Sequence, residues 1–244
     1  TLNDGTYYLI RRSVDEILGE SDDLIREYKR TFFGTAMAVG PEELHEAIRP
    51  MVDADHERVF YLDIETCGFI GVPLFLVGVM NYEGDSLVVR QLLARNYSEE
   101  RALLAGLWDL LAGADVVVTF NGKSFDMPTI IDRTIVSGIF KYREPAFHVD
   151  LLHEARRRWK RVLPNCRLQT LEMLVCGRRR SGDIPSEQIP GVYHDFVNSM
   201  EAGDALHRAR CVGQMRAILH HNMLDLVTMA ELAVHIFQNR SPQW

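Results

Sequence analysis

"VFYLDIETCGF", residues 59–69, opens as a buried strand and then sets two carboxylates where a core strand has least use for them. Val59, Phe60, Tyr61, Leu62 and Ile64 are strand-type residues, interrupted by Asp63 and Glu65. Side chains at i and i+2 of a strand share a face, so the two acids stand side by side. Burying an unpaired carboxylate is costly, and two neighbours repel unless one takes up a proton or a cation lies between them. Magnesium or manganese suits such an all-oxygen site. The plainer alternative ends the strand at Leu62 and leaves both acids in a solvated loop.

Working outward, "PLFLVGVMNY" (73–82) reads as a second strand, and Gly84-Asp85 as a turn into a third, "SLVVRQLL" (86–93). "SEERALLAGLWDLLA" (98–112) follows as a helix with Ser98 as its N-cap and Leu103, Leu104, Leu107, Leu110 and Leu111 on one face. "DVVVTF" (115–120) is a buried strand, "DMPTIIDRTIVSGI" (126–139) a helix, and "FHVDLL" (147–152) a fifth short strand running into a basic helix. "HHNMLDLVTMAELAVHIFQ" (220–238) is a long closing helix. This order predicts an α/β fold: a mixed five-stranded sheet, an antiparallel meander joined to parallel strands and flanked by helices. Residues 1–57, polar and helical in pieces, read as an N-terminal extension to a domain spanning 58–244.

The net charge of −7 argues against a sequence-independent DNA coat, though a local basic surface can still bind nucleic acid. Such a segment runs from Glu154 to Arg180, with Arg156, Arg157, Arg158, Lys160, Arg161, Arg167, Arg178, Arg179 and Arg180 opposed only by Glu154 and Glu172. A solvated helix face would produce the same composition. Cys67, Cys166, Cys176 and Cys211 show no metal-ribbon spacing, which suits a reducing cytoplasm better than a disulfide framework. The sequence has no apolar run of membrane-spanning length and no signal-peptide pattern, and it opens at Thr1 rather than Met, which leaves room for residues upstream.

Two further acids fall near this frame. Asp126 in "TFNGKSFDMP" lies just past a strand, where ligands of α/β sheets usually bind, although an Asp two residues before Pro128 is also a good helix N-cap. Gly122-Lys123-Ser124 is no phosphate loop, because Val117 stands where that loop needs glycine. Asp225 shares a face of the last helix with His221, Thr228 and His235, opposite the stripe Met223, Leu226, Ala230, Ala233, Val234 and Phe237. That face covers either a cleft or solvent. His153-Glu154 fails as a zinc motif, since Arg157 replaces the second His.

Taken together, "DIET", "FNGKSFDMP" and "HHNMLD" resemble the three motifs of the DEDD exonuclease superfamily, on a ribonuclease-H-like fold. The stretches "FHVDLLHEARRRWKRVLPNCRLQTLE" and "DIPSEQIPGVYHDF" extend the likeness to the YprB-type domains of bacteria, from about Val59 to Phe237. The resemblance implies 3′-to-5′ hydrolysis of single-stranded DNA or RNA, with Asp63, Glu65, Asp126 and Asp225 holding two magnesium or manganese ions. It also implies a general base before the last Asp, as a His at five residues or a Tyr at four. His220 has the first spacing and His221 occupies the second slot. The i, i+4 rule of a regular helix favours His221, whereas a helix starting at His221 frees His220 to reach the water. Asn121, Lys123, Phe125, Arg156, Arg157 and Lys160 are the candidate substrate contacts, Phe69 and Phe125 candidate base-stacking residues, and Asp150 a candidate support. The competing expectations are a nucleic-acid-binding module without catalysis and an endonuclease or junction-cleaving enzyme on the same fold.

Overall fold

A computed structural model describes residues 5–18, 23–34, 44–68, 71–180, 182–202 and 204–240. Phe69 lies outside them. Strands β1 (Tyr8–Ser13), β2 (Val59–Thr66), β3 (Leu74–Glu83), β4 (Ser86–Leu93), β5 (Val116–Thr119) and β6 (Phe147–Asp150) form one sheet in the order β1-β4-β3-β2-β5-β6. β2, β3 and β4 are the antiparallel meander, turned at Gly84 in the left-handed region (φ 64°). β5 and β6 extend the sheet in parallel from β2.

The expected count of five strands is corrected to six. β1 comes from the segment read as a helical extension, and it pairs antiparallel with β4 from Tyr8–Leu93 to Ser13–Val88. It escaped the pattern because it is an edge strand with no buried residue, so no apolar alternation marks it. The rest of that segment joins the core. Val14 of α1 (Val14–Leu18), Leu24 and Tyr28 of α2 (Leu24–Phe32), and Met51 of α3 (Pro50–Asp53) pack with Val59, Tyr61 and the last helix.

The sheet divides the apolar residues into two cores, as a three-layer fold with helices on both faces requires. On one face, Val59 and Tyr61 meet α6 (Leu151–Trp159), α7 (Leu168–Leu174) and the second half of α9 (Ala205–Phe237). On the other, Phe60, Leu62 and Ile64 meet α4 (Glu100–Leu111), α5 (Asp126–Val136) and α8 (Ile189–Ala202). Ser98 is not the cap expected of it. A short 3₁₀ turn over Tyr97–Glu99 precedes α4, and the Asn96 side chain accepts from the Ser98 N–H at 3.0 Å. α9 also begins well before His221, so both candidate histidines lie within it, and its polar face is covered: His221, Thr228 and His235 are all buried.

Candidate active site

β2 brings Asp63 and Glu65 to the carboxyl end of the sheet, the ordinary ligand edge of this architecture. Across the meander, Gly78 of β3 stands opposite Asp63, and Gln91 of β4 stands opposite Gly78. α9 crosses this row so closely that a Cβ at Gly78 would lie 2.3 Å from Asn222 Oδ1 and 2.8 Å from Leu226 Cδ1. The missing side chain lets Asn222, wholly buried, reach the sheet. Its amide donates to Asp63 Oδ2 (2.8 Å) and to the Asp63 carbonyl (3.2 Å), and its own Oδ1 accepts from Gln91 Nε2 (2.8 Å). Gln91 also donates to the Leu219 carbonyl at 2.7 Å, which ties the same relay back to α9. Gly78→Ala is expected to destabilise the fold by about 1–3 kcal/mol through overpacking; a denaturant midpoint equal to wild type would contradict this tight contact.

Asp126 is the first residue of α5 rather than its cap, and its side chain is buried. The turn before it is fixed by Asp150, which accepts from the backbone N–H groups of Asn121 (2.8 Å), Lys123 (3.1 Å) and Leu152 (3.0 Å). Asn121 takes a left-handed conformation (φ 68°), which Asn tolerates better than most residues. Asp150 thus supports the turn and caps α6.

The acids converge electrically. Burial, then the charges of Asp225, Glu65 and Asp126, push the Asp63 carboxyl well above its usual range. Burial and the charges of Asp225, Asp126 and Asp183 do the same to Glu65. Burial lifts Asp126 to about 7, against the pull of backbone hydrogen bonds from its own segment and from Ile64. Carboxyls that resist ionisation in this way form a cluster short of positive charge.

His221 enters the same cluster from α9. Its Nδ1 lies 2.7 Å from Asp183 Oδ1, while Nε2 lies 3.4 Å from Asp225 Oδ2 and 3.9 Å from Glu65 Oε1. A carboxylate only accepts, so Nδ1 carries a hydrogen toward Asp183, and Nε2 is the nitrogen that faces Asp225 and Glu65. His220, one position earlier and half-buried, shares no hydrogen bond with them among the described residues.

The segment after α7 is buckled across α9 by two arginines. Arg178 pairs with Glu231 (2.8 Å) and Glu172 (2.7 Å) and donates to Thr228 (2.8 Å). Arg180, its side chain only 6 % exposed, pairs with Glu172, with Asp183 (3.4 Å) and with Asp225. One Asp225 oxygen is therefore claimed by a guanidinium. Asn222 lies within "HHNMLD" and Asp183 opens "DIPSEQIPGVYHDF", but neither stretch states their roles, and Arg180 and Gln91 carry no motif of their own.

The remaining sequence candidates separate. Asn121, Lys123, Arg156 and Lys160 are exposed, and Arg156 and Asn121 line one hollow. Arg157 is paired with Glu154, which removes it from the free cations, and Phe125 is half-buried against the core beside α5. Among the described residues no three His, Cys, Asp or Glu side chains already stand arranged as ligands about one point. The donor chemistry nevertheless fits a hard divalent cation: Asp63, Glu65, Asp126 and Asp225 are oxygen donors whose shared deficit of positive charge such an ion relieves.

A family model described as RNase_H superfamily matches residues 60–237. YprB of Bacillus subtilis (strain 168) is 32% identical over 185 residues, which cover 73% of this chain and 42% of that protein. The chain thus spans less than half the length of that relative. Among solved structures, the family B DNA polymerase of the hyperthermophilic archaeon Pyrobaculum calidifontis superposes with a TM-score of 0.53 at 17% identity, over 72% of this chain and 24% of the polymerase. At that identity the likeness concerns the fold. From the strand that carries Asp63 to the helix that carries Asp225, the chain belongs to the RNase_H superfamily, as a YprB-type ribonuclease-H-like domain.

Proposed function

We propose that this domain is a metal-dependent 3′-to-5′ exonuclease acting on single-stranded nucleic-acid ends. The observation that carries the reading is the meeting of four acids from β2, α5 and α9 beside an imidazole whose Nδ1 is held by Asp183. Asp63, Glu65, Asp126 and Asp225 would hold magnesium or manganese, which when bound stabilises charge on the attacking and leaving oxygens. His221 Nε2 takes the proton of the attacking water, and Asp183 holds the ring so that this nitrogen faces the reacting atoms. The water oxygen bonds to phosphorus as the ester bond to the neighbouring 3′ oxygen breaks; that oxygen takes a proton from solvent, and the terminal nucleotide leaves with a 5′-phosphate. Asn222 keeps Asp63 from turning away, while Asn121, Lys123, Arg156 and Lys160 are available to phosphate.

The Arg180–Asp225 ion pair favours a second reading, a nucleic-acid-binding module in which an arginine replaces the cation. Single-stranded DNA and RNA labelled at either end, incubated with Mg²⁺, Mn²⁺ or EDTA, separate the two. Metal-dependent release of mononucleotides from the 3′ end, lost in Asp225→Ala, supports the enzyme. Retained binding with no cleavage under any metal supports the module, and cleavage of a circular substrate shows an endonuclease instead.

A further inference from the structure

The basic run from Arg156 to Arg180 divides once its partners are seen. Arg157 and Arg158 are held by Glu154, and Arg178 and Arg180 are engaged by Glu172, Glu231, Asp183 and Asp225. Arg156, Lys160, Arg161, Arg167 and Arg179 are exposed and have no carboxylate partner among the described residues. Three of these five line hollows rather than open surface. A hollow of 790 Å³ has Arg167 and Arg179 on its wall and ends against His221 and Asp225. A second of 490 Å³ runs from Arg156 and Asn121 to the same Arg167, and Leu168 is also common to both. The two adjoin at Arg167 and Leu168, which wall both, so the pair of hollows covers the ground between α6 and Asp225.

We infer that Arg156, Arg167 and Arg179 are the track on which the backbone of a single polynucleotide strand lies as it approaches the carboxylates. This rests on the exonuclease reading and extends it to the path of the substrate. A protein of net charge −7 repels polyanions in general, so unpaired guanidiniums gathered on two adjoining hollows are where phosphates gain most. Their planar forks suit phosphate oxygens. The larger hollow also carries Leu168, Met173, Ile184 and Pro185. An unpaired strand can lay base faces on such apolar side chains, whereas a duplex keeps its bases stacked inward.

The test is equilibrium binding of a fluorescent single-stranded oligonucleotide in EDTA across a salt series. Wild type is compared with Arg167→Ala/Arg179→Ala and with Lys141→Ala/Arg143→Ala, which removes the same charge from the exposed loop before β6, outside both hollows. Each lost phosphate contact on a single strand lowers the slope of log affinity against log salt by about 0.7, so the first pair should lower it by about 1.4. A fourfold rise in salt would then cost wild type about sevenfold more affinity than it costs that variant. The Lys141/Arg143 pair should leave the slope near wild type. Equal loss in both pairs, no loss in the Arg167/Arg179 pair, or no binding by wild type would each overturn the track, and tighter binding of a duplex of the same length would overturn its single-strand character. Because nothing is hydrolysed in EDTA, the outcome stands apart from the exonuclease reading. Binding that depends on Arg167 and Arg179 without turnover in Mg²⁺ or Mn²⁺ keeps the track and removes the enzyme; turnover with unchanged binding does the reverse.

Discussion

Asp63→Asn is expected to cost nucleotide release about a thousandfold and, in the same protein freed of metal, to raise the melting temperature. The first effect follows from the loss of a carboxylate donor: stabilisation of the reacting oxygens is worth several kcal/mol, and each 1.4 kcal/mol is tenfold in rate. The second follows from the sign of the perturbation. A carboxyl whose folded value is raised above its unfolded one binds more protons folded than unfolded, so its charge at neutral pH opposes folding. Asn keeps the acceptor and the shape next to Asn222 while discarding that charge. A gain of about 1 kcal/mol, seen as about 2–4 °C by calorimetry in EDTA, is the expected result. A variant both inactive and less stable would mean that Asp63 serves the fold rather than the chemistry.

His221→Ala should lower kcat about 10²–10⁴-fold, the usual worth of a positioned general base, while leaving oligonucleotide affinity near wild type. His220→Ala should change neither the rate nor the affinity, since that side chain does not join the acids. The companion change is Asp183→Ala, which frees the ring to turn and to adopt the other tautomer; an outer partner of this sort is commonly worth about 10–100-fold. Asp183→Asn retains a carbonyl oxygen able to accept from Nδ1 and should recover part of the loss. Combining His221→Ala with Asp183→Ala should cost little more than His221→Ala alone, because the two act as a unit. Additive losses in single-turnover rates would show that Asp183 acts elsewhere, with Arg180 the first place to look.

What the sequence reveals here is what local pattern can encode. The paired acids of β2 stand out because an apolar strand surrounds them, and the meander is legible because Gly84 marks its turn. α9 is legible from His220 onward. Its first turns are not, because the residues from Ala205 to Arg210 are exposed and supply no apolar stripe. The basic segment misleads as a unit: the acids that occupy Arg178 and Arg180 include Glu231 and Asp225, some fifty positions away in the chain. Asp183 opens a stretch that the family likeness covers, but its role depends on a loop meeting α9, which a one-dimensional pattern does not contain. Gln91 looks like any polar residue of a half-buried strand, yet it is 3 % exposed and braces the asparagine that braces Asp63.

β1 has a consequence for how the polypeptide behaves among its own copies. β4 carries Leu87, Val88, Val89, Leu92 and Leu93, all buried, and one of its two rows of backbone N–H and C=O groups is occupied by β1. An unpaired strand of this composition is a template for another chain. β1 itself is a poor template: it is short, it is exposed, and Arg11 and Arg12 break its apolar character. The first strand thus replaces an adhesive border with a repellent one. A chain trimmed to begin at Arg58 would keep every acid of the site and expose β4, so its expected failure is self-association, visible as high-mass species in size-exclusion chromatography.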